Sequence, residues 1–183
     1  KILNEYLEVE RNNPGCKMIC SVIDKFIKKD LIYGLNIVDD EYSKEYNVDP
    51  LIVFSVIKAE SNFKKDAKSS SGAKGLMQLM DATAEEMANK IDTSVAEEES
   101  LFDPEKNIMI GVRYYSELLD IYDGNMLLAL TAYNAGIGNV NSWITQGIIK
   151  KDGSDIENIP YKETNMYVRK IINNYKMYQK IYN

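Results

Sequence analysis

Glu60 has the setting in this chain that most invites chemistry. It follows Leu51, Ile52, Val53, Phe54, Val56 and Ile57, a run with so little polar face that its helix should sit in the core. Lys58-Ala59-Glu60-Ser61 then delivers a carboxylate at the end of that helix. Burial there disfavours the ionised form and moves the pKa toward neutrality, which makes a proton donor. Histidine is absent from the whole chain, so a histidine-ligated zinc site, a Ser-His-Asp triad and a Cys-His dyad are excluded. Chemistry is left to carboxylates, amides, hydroxyls and lysines.

The elements that must position such a group have legible ends. Asp49 before Pro50 predicts an N-cap and first helical residue, and Asp103-Pro104 repeats the signal. After the second cap Ile108, Val112, Tyr115, Leu119 and Tyr122 recur at helical spacing until Gly124. Asp81 is expected to cap a helix over 82–90, while 92–100 reads as an acidic loop or short exposed helix. A helix over 125–135 should stop at Gly136 and Gly138, and a short one over 140–144 at Gly147. A polar loop over 150–160 precedes a long last helix striped by Tyr167, Ile171, Tyr175, Tyr178 and Tyr182. Strand signals are weak, so the expected class is mainly α, with any β-structure confined to a hairpin near 69–75.

With 183 residues the chain is long enough to bury about 70% of its unfolded surface, and two cysteines supply no disulfide framework. Cys16 and Cys20 lie four apart, a spacing that suits a bridge across one helical turn or two separate buried thiols. Residues 1–36 carry the turn cluster Asn12-Asn13-Pro14-Gly15 and an amphipathic run over 21–32, and are read as a helical extension before a domain over 37–183. Because the sequence opens on Lys1, that extension is expected to follow a removed signal or anchor. No stretch reaches the roughly 20 apolar residues of a membrane span. The excess of 28 acidic over 22 basic residues argues against general nucleic-acid binding.

Several ordered segments resemble one family. Glu60-Ser61-Asn62-Phe63, Ala67, Ser69, Gly72-Ala73, Gly75-Leu76-Met77-Gln78, Thr83-Ala84, Ala132-Tyr133-Asn134-Ala135-Gly136, Ile159-Pro160-Tyr161, Glu163-Thr164 and Tyr167-Val168 look like the catalytic domain of the soluble-type lytic transglycosylases. The resemblance covers roughly 37–182 and implies a goose-lysozyme-like α+β fold. Each motif alone has an ordinary structural reading; their order is what carries the likeness. Two departures stand out. Asp81 occupies a position where the family usually has proline, and Asn165-Met166 one where a basic residue is common.

The resemblance implies cleavage of the β-1,4 bond between N-acetylmuramic acid and N-acetylglucosamine in peptidoglycan, without water as acceptor. It makes Glu60 the catalytic acid, and it places Ser69, Gln78, Met80, Tyr133, Glu163 and Tyr167 along the sugar groove or beside the glutamate. The residues themselves fit that role. Gln78 and Asn134 suit acetamido and hydroxyl groups, Ser61 and Ser69 offer hydroxyls, and Tyr167, ahead of Tyr133, is the expected orienter of Glu60. A two-carboxylate glycosidase needs a second acid, for which Asp66, Asp81 and Glu163 are the candidates. Without one, Glu60 must act first as acid and then as base toward the C6 hydroxyl, giving a 1,6-anhydro sugar. A hydrolytic muramidase and a non-catalytic glycan-binding module are the competing readings. No metal or organic cofactor is implied. The expected partner is the glycan strand, engaged by a monomer outside the cytoplasmic membrane, with residues 1–36 available to a membrane tether or envelope machine.

Overall fold

The computed structural model describes residues 45–95 and 100–182. The expected helix over 21–32, the Cys16 and Cys20 pairing, the boundary at 36/37 and the side chain of Tyr182 lie outside the described residues. Six α-helices follow in order: α1 Pro50–Glu60, α2 Asp81–Lys90, α3 Pro104–Ile121, α4 Met126–Ala135, α5 Ile137–Thr145 and α6 Lys162–Tyr182. Single 3-10 turns occupy Ser100–Phe102 and Ile156–Asn158. The architecture is mainly helical, as the sequence predicts.

Helix α1 is the central post. Asp49 caps it by accepting from Leu51 N at 2.8 Å, and Pro50 stands at its first turn. Ile52, Val53, Phe54, Val56 and Ile57 are all buried, which contributes roughly 10 kcal/mol of burial at about 2 kcal/mol per side chain. Ser55, buried in the same turn, satisfies its hydroxyl on Leu51 O at 2.7 Å. The long α6 packs along α1, α3 packs on α4, and α4 also touches α6. Of the aromatic stripe, Tyr167 and Ile171 are buried, Tyr178 meets Phe54 edge-on at 6.3 Å, and Tyr175 donates to the capping carboxylate of Asp49. The last helix is thereby fastened to the start of the first.

Among the described residues β-structure is confined, as expected, to the segment between α1 and α2, where it amounts to two isolated bridges that converge on Lys74, one to Lys68 and one to Leu79. A ladder has no room because the chain reverses repeatedly: Asn62, Phe63 and Gln78 hold left-handed backbone angles, and Gly75 does so at φ +76°. Gly75 is also packed to contact, since a Cβ there would lie 2.2 Å from both Asn107 Nδ2 and the Leu101 carbonyl. Gly75→Ala is expected to destabilise the domain by about 2–5 kcal/mol, combining left-handed strain with overpacking, as a lowered urea midpoint at unchanged m-value.

Two helix starts differ from expectation. Helix α2 begins at Asp81 itself with Met80 as N-cap, and no side chain caps it. The Asp81 carboxylate instead takes both contacts of the Lys74 ammonium, at 2.7 and 3.0 Å, because Lys74 is buried and needs a counter-charge. Helix α5 starts three residues early, at Ile137. Gly136 at φ +84° makes the whole turn from α4, so Gly138 is free to lie inside the next helix.

Candidate active site

Glu60 is the last residue of α1, where the helix leaves the core. Burial pushes its carboxyl up to about 7, against the smaller opposing pulls of the Tyr167 phenol and the Lys170 ammonium. Desolvation is the largest cause, and among the described residues no acid is one of the groups that act on it. The apolar run that sinks α1 into the core thus also dries the carboxyl at its end.

Tyr167 and Lys170 come from α6, three residues apart and so on one face of the helix. The Tyr167 hydroxyl is buried with no partner at ordinary hydrogen-bond geometry, and Glu60 is the acceptor whose charge it feels at close range. Catalytic hydrogen bonds are often long before substrate tightens them. Lys170 Nζ donates to the Ala59 carbonyl at 2.8 Å, tying α6 to the last turn of α1.

Tyr133 closes the site from α4. Its ring lies 5.2 Å from Tyr114 and 6.4 Å from Tyr115, and its hydroxyl donates to the Met77 carbonyl at 2.8 Å. The phenol therefore braces the segment before α2, and the charge of Glu60 reaches it through space. Burial and the Glu60 charge raise the phenols of both Tyr133 and Tyr167 well above the usual tyrosine range, so both remain protonated donors.

The other expected residues fall into two groups. Gln78, half-buried, donates Nε2 to the Ala67 carbonyl at 3.1 Å and to the Gly75 carbonyl at 2.9 Å. Both amide hydrogens are thus engaged, and Oε1 is the atom left to accept from a ligand. Ser69 Oγ accepts from Ala73 N at 3.0 Å and braces its turn, while Ser61, buried, donates to the Ile57 carbonyl at 3.1 Å and closes the end of α1. Asn134 accepts from Thr164 Oγ1 at 2.8 Å, joining the end of α4 to the start of α6 and leaving its own amide hydrogens for another partner. Met80 and Glu163 are exposed, Met80 at the entrance of α2 and Glu163 in the first turn of α6. The structure places Asp81 against Lys74, and Asp66 is exposed on the loop after α1.

Sequence reading passes over Asn107. This residue on α3 is fully buried, accepts from Met77 N at 2.8 Å, and donates to the carbonyls of Lys74 at 3.1 Å and Leu101 at 2.8 Å. With Tyr133 on the carbonyl side, the Met77 peptide is clamped at both ends. Its fully buried side chain seats over Gly111, where a Cβ would come within 2.3 Å of the sulfur. A fixed polar residue on the apolar side of a strongly periodic helix was the available signal. A separate depression of about 360 Å³ lies between the end of α3 and α5, lined by Tyr122, Asn141 and Thr145 among others, and contains none of these groups.

One family model and several known proteins are similar to this chain. The family model "Transglycosylase SLT domain" matches residues 38–156. The soluble lytic murein transglycosylase of Escherichia coli K12 is 30% identical over 133 residues, which is 72% of this chain and 21% of that protein. Membrane-bound lytic murein transglycosylase C of Edwardsiella ictaluri is 31% identical over 76% of this chain and 45% of its own length. The crystal structure of an inactive Glu-to-Gln variant of lytic transglycosylase Slt from Pseudomonas aeruginosa superposes with a TM-score of 0.70 at 35% identity, covering 76% of this chain and 23% of that one. The chain thus spans about a fifth of the length of these soluble relatives. Matched by the family model over more than half of its residues, the chain belongs to the transglycosylase SLT domain family.

Proposed function

We propose that this domain is a peptidoglycan lytic transglycosylase, cutting the β-1,4 bond between N-acetylmuramic acid and N-acetylglucosamine with Glu60 as its one acid and base. The observation that carries the reading is a dry glutamate whose carboxyl burial lifts to about 7, with no acid among the described groups acting on it, in a chain of this family. Relatives named as lytic murein transglycosylases support the same chemistry.

Glu60 protonates the glycosidic oxygen as the bond to the muramyl C1 breaks, and the substrate's own N-acetyl oxygen stabilises the cationic carbon. The carboxylate so formed then takes the proton of the C6 hydroxyl as O6 attacks C1. The product is a 1,6-anhydro ring, and Glu60 is returned protonated. Tyr167 holds the carboxyl in place, while Gln78 Oε1 and the Asn134 amide accept and donate to sugar substituents. None of Asp66, Asp81 and Glu163 serves as a second acid.

Mass spectrometry of fragments released from purified peptidoglycan tests this directly. Anhydromuramyl products, one water lighter than hydrolytic ones, are expected. Reducing muramyl ends would turn the reading to a hydrolytic muramidase, and an absence of fragments to a binding module. The working form is the protonated acid, so kcat/KM should fall as pH rises through about 7, the value to which burial lifts Glu60. A rate flat to pH 9 would exclude Glu60 as the donor. Action on the wall places the domain in the bacterial envelope, as a monomer on glycan strands, with no metal or cofactor. Among the described residues no helix is long and apolar enough to cross a membrane.

A further inference from the structure

We infer that Lys170 is a positioning residue for the reaction: anchored on the Ala59 carbonyl, its ammonium holds the last turn of α1 and steadies Glu60 in the carboxylate form that the second half-reaction requires. The inference rests on Glu60 being both acid and base. It deepens that reading by naming a group that makes the two roles compatible.

The difficulty for a one-carboxylate enzyme is that dryness favours only one of its states. Once the proton has gone to the leaving oxygen, the carboxylate must persist in the same apolar surroundings until O6 attacks. Charged and titratable neighbours decide whether it can. From α6 come Tyr167 and Lys170, from α4 comes Tyr133, and from α1 itself Lys58 lies close enough to Lys170 for the two ammonium groups to repel. Tyr115 of α3 stands behind Tyr167. Tyr133 is engaged with Met77, so its hydroxyl is not available to the carboxylate. Among the described residues that act directly on Glu60, Lys170 is the one full positive charge.

Its placement is not incidental to a flexible side chain. The 2.8 Å bond to the carbonyl of Ala59 fixes the ammonium one residue from the acid and satisfies a carbonyl at the helix C-terminus, where a cation is favoured. Tyr167, one turn earlier on α6, delivers the phenol to the same carboxyl. One face of α6 therefore brings a hydrogen-bond donor and a charge together. Both lie beyond the residues 38–156 that the family model matches.

The test follows the Glu60 carboxyl itself by 13C NMR of the full chain labelled at the glutamate side-chain carboxyl, with the resonance assigned by its loss in Glu60→Gln. Lys170→Gln keeps an N–H donor for Ala59 but removes the charge; Lys170→Met removes both. Each should move the Glu60 midpoint to higher pH by about 0.5–1, since loss of a nearby cation disfavours the carboxylate. Lys170→Arg should restore it. The alkaline limb of kcat/KM should move by the same amount. A midpoint unmoved in both Lys170→Gln and Lys170→Met, whatever happens to stability, overturns the inference. If the wild type releases no anhydro products, the functional reading fails, yet the titration still decides whether Lys170 sets the charge state of Glu60.

Discussion

Glu60→Gln is expected to lower fragment release from purified peptidoglycan by about 10³- to 10⁴-fold, the upper range for loss of a general acid, because in the proposed mechanism one group serves both proton transfers. The same change should stabilise the domain above neutral pH. A carboxyl lifted from 4.5 to about 7 on folding is harder to ionise in the folded state, so each step of pH through that window weakens the fold. Below about 4.5 both states are protonated and the penalty vanishes. Above about 7 it is complete, at up to about 3 kcal/mol. The amide carries no such penalty. Denaturant curves of wild type and variant should therefore coincide near pH 4 and separate by pH 8, with the inactive protein the more stable. Equal stability at pH 8 would mean that Glu60 is not dry. Burial of five apolar residues along α1, worth roughly 10 kcal/mol, is what tolerates the charge.

Asn107→Ala is expected to be the most damaging substitution outside the acid. It would leave the Met77 N–H and the carbonyls of Lys74 and Leu101 without their buried partner. At about 1–3 kcal/mol for an unsatisfied buried group, partly relieved by entering water, a loss of about 3 kcal/mol or more follows. For a domain of this size that is a drop in Tm of roughly 6–12 °C. Activity should fall further than stability, because the Gly75–Gln78 loop would lose the clamp opposite Tyr133. Asn107→Asp should not rescue it, since a carboxylate offers nothing to the two carbonyls. Calorimetry with fragment release at a temperature where the variant remains folded separates the two effects. Retained activity there would show that the clamp does not position the site.

Much of this is legible in the sequence. The caps at Asp49 and Asp103 are local signals, completed within three residues of themselves, and both form as read. The burial of α1 followed from six apolar residues in seven. What escaped reading was decided across the chain. Asp81 has the look of an N-cap, but a buried lysine seven residues earlier claims its carboxylate. Asn107 looks like one polar residue among many on a long helix, and its meaning lies 30 and 33 residues upstream. Tyr133 was legible as an aromatic near the acid but not as a brace, because its acceptor is a backbone carbonyl that no pattern of side chains announces. Lys170 looks solvated in sequence, and only the packing of α6 on α1 brings it to Ala59.

That packing joins parts of the chain 111 residues apart. During synthesis from the N-terminus, the acid emerges long before the helix that supplies its phenol and its ammonium, and contacts of such long sequence range form late. A chain that ends before α6 is expected to leave Glu60 at a frayed helix end, open to water and with an ordinary acidity. Under the proposed function, competence to cut the wall arrives only with α6, a form of timing written into the order of the sequence.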